Sequence, residues 1–284
     1  MAIITGTAGN DTVTTTTSSF GPLTTGDNDS VLGLGGNDYI AGGSGLDTLR
    51  GGDGGDSLYG GNDNDYLFGD AGDDELYGGA GNDIMDGGTG FDLVSFNSDS
   101  TAGAVSVTVT SVAGVNTGIS APAPLILTQG NDTFTNFEQI NGSSADDTIT
   151  IASVNTILGF NVRGNPGNDI LTNASGLNTA LFLDYRSAGV TSGVSVDLAL
   201  GRATDGFGGL DTISGFTAVR GTILGDTLLG SGEIDRFRGR AGNDYIDGRD
   251  GFDIADYSQA TSAVSVNLAI GRAQDGEGGT DTLT

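Results

Sequence analysis

Residues 33–95 read GLGGNDYIA, GGSGLDTLR, GGDGGDSLY, GGNDNDYLF, GDAGDDELY, GGAGNDIMD, GGTGFDLVS when they are cut into nines. The sixth place is always aspartate: Asp38, Asp47, Asp56, Asp65, Asp74, Asp83 and Asp92. The eighth is always large and apolar: Ile40, Leu49, Leu58, Leu67, Leu76, Met85 and Val94. Followed backwards in the same phase, TTGDNDSVL (24–32) supplies Asp29 and Val31. TTTSSFGPL (15–23) has lost the pattern, and GTAGNDTVT (6–14) carries Asp11 and Val13. Ten units thus keep one phase from Gly6 to Ser95. An acidic, glycine-rich tract that stayed disordered would have no cause to hold such a register.

A unit of this kind has a simple physical solution. Its six glycine-rich places make a tight turn, because glycine accepts positive φ without penalty. The last three make a short strand whose middle residue points inward. Two units then form one coil of eighteen residues, and successive coils stack at about 4.8 Å. Aspartates eighteen apart fall one above another. One edge is expected to carry Asp29, Asp47, Asp65 and Asp83, with Asp11 ahead of Asp29; the other carries Asp38, Asp56, Asp74 and Asp92. Carboxylates at that spacing repel unless a cation sits between them.

Calcium suits the gap, since it takes six to eight oxygens in flexible geometry, and turn carbonyls can complete the set. Magnesium fits worse because it demands a strict octahedron. Zinc would want His or Cys, and the chain has neither. Residues 6–95 hold sixteen acids and one arginine, and their stacking defines the pairs 11–29, 29–47, 47–65, 65–83, 38–56, 56–74 and 74–92. Seven divalent ions would nearly neutralise the block. At ten times its Kd each would add roughly 1.4 kcal/mol, on the order of 10 kcal/mol together, comparable to a domain's net stability.

The nonapeptide G-G-x-G-x-D-x-U-x resembles the calcium-binding repeat of RTX (repeats-in-toxin) proteins, the hemolysin-type repeat. The resemblance implies an all-β fold, a right-handed parallel β-roll or β-helix solenoid with Ca2+ ions in its turns. It also implies a bacterial protein exported by type I secretion, a route that uses an uncleaved carboxy-terminal signal.

Beyond Ser95 the pattern loosens. Val105, Val107 and Val109 alternate as in a half-buried strand, and Pro122 and Pro124 suggest a connector or an edge. Isolated echoes of the repeat occur at Asp132, Asp147, Asp169 and Asp211; whether these and Asp281 are ligands stays open. Residues 193–214 (GVSVDLALGRATDGFGGLDTIS) match 263–284 (AVSVNLAIGRAQDGEGGTDTLT) at fourteen of twenty-two places. Between these copies four nonapeptides return in phase, and two more sites are expected where Asp226 pairs with Asp244 and Asp235 with Asp253. The expected organisation is a calcium-binding β-roll over 1–95, an irregular β-solenoid over 96–220, a second short roll over 221–256, and over 257–284 the start of a further module, cut in mid-repeat.

Composition narrows the function. The 284 residues include 52 Gly, 37 acids and ten bases, all of them Arg, with a net charge of −27. That charge argues against nucleic acid or an anionic membrane as partner. No Cys, Lys or His is present to act as nucleophile or base. Paired carboxylates could hydrolyse glycosides, but here they recur everywhere at metal spacing. No catalytic residue or membrane insertion is expected.

Tyr59 and Tyr77 should stack on one outer face, with Phe68 on the opposite one. Arg202 with Asp205, and Arg272 with Asp275, read as local surface ion pairs. Within LRGGDGGDSLYGGNDNDYLFGD, Asp53, Asp63 and Asp70 read as solvated charge, with Asp63 replacing a turn glycine. The amino terminus carries no basic-then-apolar signal. The chain therefore reads as a secreted calcium-binding repeat protein, extracellular or at the cell surface, that folds on meeting calcium. Its expected role is structural, surface-layer or adhesive, with a cell-surface, glycan or self-association partner. The alternative is the calcium-binding portion of a larger secreted enzyme or toxin: a protease, lipase or glycan-active protein.

Overall fold

The computed structural model describes residues 3–7, 9, 11–13, 26, 28–97, 103–112, 115–122, 132–153, 159–176 and 181–284. The patternless unit at 15–23 and Pro124 lie outside them. Every regular element among the described residues is a strand. The chain divides into two compact units, one of residues 1–145 and 152–158, the other of 146–151 and 159–284.

In the first unit, β1 (Ile3–Thr5), β2 (Thr12–Val13), β3 (Ser30–Gly35), β4 (Tyr39–Ser44), β5 (Thr48–Asp53), β6 (Ser57–Asn62), β7 (Tyr66–Ala71), β8 (Glu75–Ala80), β9 (Ile84–Thr89) and β10 (Leu93–Ser95) alternate between two parallel sheets. The odd strands form one sheet and the even strands the other. The register is eighteen residues throughout β3–β9: Val31 pairs with Leu49, Leu49 with Leu67, and Leu67 with Met85. On the other face Ile40, Leu58, Leu76 and Val94 follow one another. These two apolar columns are the core, and each member is at most 2 % exposed. This is a parallel β-roll. Its strands are longer than the expected three residues, because pairing continues through the first three places of the next unit, as in Gly43 with Gly61 and Ser44 with Asn62.

The first coil departs from that register. Val13 pairs with Ile40 and Ile4 with Val31, offsets of 27 residues. Asp11 therefore lies under Asp38, its N–H donating to Asp38 Oδ1 at 2.7 Å, and not under Asp29 as the spacing suggested. The step from this coil to the next is thus nine residues longer than the eighteen of the later coils. At the other end, strand 133–135 continues the ladder after β9, and 139–141 continues it after β10. The alternating valines lie in an antiparallel hairpin, 105–112 with 115–122, which pairs with 133–135. Phe96, Phe134 and Phe137 pack edge-on at about 6 Å to close the core there.

The second unit builds similar columns from shorter strands. Val162, Leu183, Val219, Phe237 and Ala255 succeed one another on one face. Each long repeat inserts a three-stranded antiparallel meander into the opposite face, at 195–197, 202–204 and 210–214, and again at 265–267, 272–274 and 280–283.

Candidate metal centre

Stacked turns leave backbone amides that must find acceptors. The sixth-place aspartates supply them. Each Oδ1 accepts the N–H of the aspartate one coil earlier: Asp47 from Asp29, Asp65 from Asp47 and Asp83 from Asp65, at 2.7–2.8 Å. Asp56, Asp74 and Asp92 serve Asp38, Asp56 and Asp74 in the same way on the other edge, at 2.7–2.9 Å. The final places are filled by residues outside the strict repeat. Asp132 Oδ1 accepts from Asp83 N–H, and Glu138 Oε2 from Asp92 N–H.

One oxygen per carboxylate is thereby committed to backbone, which leaves one for anything else. In Asp38, Asp47, Asp56, Asp65, Asp74, Asp83 and Asp92 that second oxygen, Oδ2, is buried and has no hydrogen-bond partner. Seven such atoms in one block call for an explanation, since an unpaired buried carboxylate oxygen is costly. Burial raises the carboxyl of Asp65 to about 8, those of Asp74 and Asp92 to about 7, and those of Asp47 and Asp56 to about 6. The capping N–H pulls each back, and the neighbouring carboxylates push it up again. Asp83 is raised by burial and by Asp132 beside it.

The first-place glycines complete the picture. The space a Cβ on Gly33 would occupy is bounded by Asp38 Oδ2 and by the Gly51 carbonyl of the next coil. Asp47 with Gly60, Asp65 with Gly78, and Asp74 with Gly87 repeat the arrangement above Gly42, Gly60 and Gly69. These are oxygen donors only, facing a common point, with no N–H or O–H among them. That donor set fits a hard cation such as calcium. Among the described residues no three acidic side chains form a ready cage. Each site thus combines carboxylate with carbonyl oxygen.

The second place of the turn separates open sites from closed ones. It has positive φ in every turn from Asp38 to Asp92, including Leu34 (85°) and Asp70 (76°), where glycine is absent. Asn165 (73°) and Arg240 (77°) hold the same conformation before Asp169 and Asp244, whose Oδ2 atoms are also buried and unpartnered. Where Thr or Ser stands there without positive φ, its own N–H takes the oxygen. Thr7 donates to Asp11 Oδ2 at 2.5 Å, Thr222 to Asp226 at 2.7 Å, and Ser231 to Asp235 at 2.5 Å. At glycine and non-glycine alike, positive φ at this place goes with an Oδ2 that takes no N–H from its own turn.

The expected pairs in the second unit are in register, Asp226 N–H donating to Asp244 Oδ1 and Asp235 N–H to Asp253 Oδ1, at 2.8 and 3.0 Å. Asp253 itself is exposed. Asp147, Asp169 and Asp211 form a further rank, with Asp169 Oδ1 accepting from Asp147 and Asp211 Oδ1 from Asp169. Asp281 Oδ1 accepts from Asp244 N–H at 3.1 Å.

Several side chains take other places than their sequence suggested. Asp63 does adopt the left-handed region, at φ 75°, but its carboxylate accepts from Gly45 N–H, and Asp70 pairs with Arg50 at 3.0 Å. Neither is simply solvated. Asp205 and Asp275 are buried and make no ion pair with Arg202 or Arg272, because their carboxylates turn inward to accept loop N–H groups. Tyr59 and Tyr77 stack at 4.4 Å, Tyr39 extends the row, and the Arg50 guanidinium lies over Phe68.

The second unit also holds an arginine clamp. Asp184 is buried among Arg163, Arg186 and Arg220, and Asp256 pairs with Arg236 and Arg238. The Phe182 ring lies under Arg220, Arg236 and Arg238. Burial alone would raise Asp184, but Arg186, Arg163 and Arg220 outweigh it and hold it below its ordinary value. The signal for both anchors was the recurring Asp-Tyr pair, 184–185 and 256–257, just ahead of each long repeat.

A parallel roll bearing ranks of oxygen-only sites defines a calcium-binding repeat protein. The family description "RTX calcium-binding nonapeptide repeat (4 copies)" matches residues 3–16, 23–58, 59–94 and 220–255. Over those four stretches the chain is similar to the RTX calcium-binding repeat family. No curated protein matches it.

Proposed function

We propose that this chain is a secreted protein, extracellular or at the cell surface, whose roll folds when it binds several calcium ions and then serves a structural, surface-layer or adhesive role. The observation that carries this is the rank of buried Oδ2 atoms from Asp38 to Asp92 with no partner in the protein. Asp38, Asp47, Asp56, Asp65, Asp74, Asp83 and Asp92 would hold the ions, and turn carbonyls would complete each shell. Bound calcium would supply the positive charge that lets these carboxylates stay ionised while buried. The chain's own part is to hold one oxygen of each carboxylate on a backbone N–H and keep the other aimed at the ion. In low calcium the first unit, with nineteen acids against one arginine, should stay expanded. Millimolar calcium outside the cell matches the affinity range of extracellular modules. Circular dichroism tests this: chelator should leave the first unit largely unfolded, and calcium should restore a β spectrum. A full β spectrum that chelator does not change would overturn the proposal.

A further inference from the structure

Both long repeats depart from the nonapeptide rule in the same two ways. First, the oxygen that the ladder leaves open is filled by a phenol. The Tyr185 hydroxyl donates to Asp211 Oδ2 at 3.0 Å, and that of Tyr257 to Asp281 Oδ2 at 2.7 Å. Second, each repeat brings in another carboxylate six residues ahead, Asp205 and Asp275, at 2 % and 1 % exposure.

Asp205 Oδ1 accepts the N–H groups of Phe207 and Gly209, and Asp275 Oδ1 those of Glu277, Gly278 and Gly279. Asp205 Oδ2 is buried with no partner, whereas Asp275 Oδ2 accepts from Gly279 N–H at 3.0 Å, a donor it shares with Oδ1. What these oxygens face is the same in both copies. The space of a Cβ on Gly209 is bounded by Asp205 Oδ2 and the Gly167 carbonyl; that on Gly279, by Asp275 Oδ2 and the Gly242 carbonyl. Gly167 and Gly242 belong to the turns that end in Asp169 and Asp244, whose Oδ2 atoms are themselves buried and unpartnered. Two carboxylates and a carbonyl have no hydrogen to share with one another, so they call for a cation between them.

We propose that each long repeat carries a calcium site of its own, outside the nonapeptide rule. Asp205, Asp169 and the Gly167 carbonyl hold one ion, and Asp275, Asp244 and the Gly242 carbonyl hold the other. The tyrosine closes the ordinary site and the extra aspartate replaces it, so the meander is inserted without losing an ion. This rests on the reading that the ladder binds calcium.

The test is a count of calcium bound per full chain after equilibrium dialysis, for the unsubstituted protein, Asp205→Asn, Asp275→Asn and the double variant. Asparagine keeps the oxygen that accepts the loop N–H groups and removes the charge. One ion fewer in each single variant and two fewer in the double variant are expected, with unchanged circular dichroism in saturating calcium. An unchanged count in both single variants overturns the proposal. A parent chain that binds no calcium would instead overturn the ladder reading on which it rests.

Discussion

At the residue scale the decisive fact is that every open site spends one carboxylate oxygen on a backbone N–H and holds the other in reserve. The folded carboxyls of Asp47, Asp56, Asp65 and Asp74 lie at about 6 to 8, above the ordinary value of about 3.9 for an unfolded aspartate. Without metal, such groups stabilise the fold fully below about pH 4, and that stability is lost as pH rises through their folded values. In chelator, the β signal of the chain should therefore grow as pH is lowered from 8 towards 4. With calcium present the order reverses, because protons compete for the same oxygens: titrations should show weaker calcium binding at pH 5 than at pH 8. The glycines are just as specific. Gly54 has φ 125°, and a Cβ there would strike the Gly36 carbonyl, so Gly54→Ala should cost more than about 2 kcal/mol in calcium-loaded protein. Gly232 has nothing within 4 Å of its Cβ position, and Gly232→Ala should stay within about 0.5 kcal/mol in the same denaturant titration.

At the scale of elements, the unit of stability in the first block is a column, and in the second it is a clamp. Asp184→Ala would leave the buried Arg220 and the partly buried Arg163 without their counter-charge, at 8 % and 15 % side-chain exposure. A loss of about 3–5 kcal/mol is expected in chemical denaturation, with the calcium count unchanged. The columns were legible in the sequence because period and phase alone place Leu49 over Val31 and Leu67 over Leu49. The pairing of the clamp was not, although its two anchors repeat as Asp-Tyr, because Asp184 and Arg220 are 36 residues apart in a region with no constant period. Asp11 shows the same limit from the other side. Its place was misjudged by one edge, since its coil pairs with the next at an offset of 27 residues where the period of the later coils is eighteen. Asp205 was read as a surface charge because the strand meander that buries it leaves no mark in the nonapeptide pattern.

At the scale of the whole molecule, the two units balance their charge differently. The first has nineteen acids and one arginine, the second eighteen acids and nine arginines. Removal of calcium should accordingly unfold the chain in two stages. The first unit should lose protection at higher free calcium than the clamp strands of the second, and hydrogen exchange measured along a chelator titration will show whether it does. A single transition shared by both units would mean that the arginines do not take over the cation's part.

The eighteen-residue register also governs how such a chain can change its length. A site is shared by two coils, with Asp38 supplied by one and the Gly51 carbonyl by the next. A gene that gains or loses eighteen codons between Gly33 and Asp86 returns every later aspartate to its own edge and every glycine to a matching carbonyl. A change of nine codons would send them all to the opposite edge. Length in this architecture is therefore free to drift, but only in whole coils.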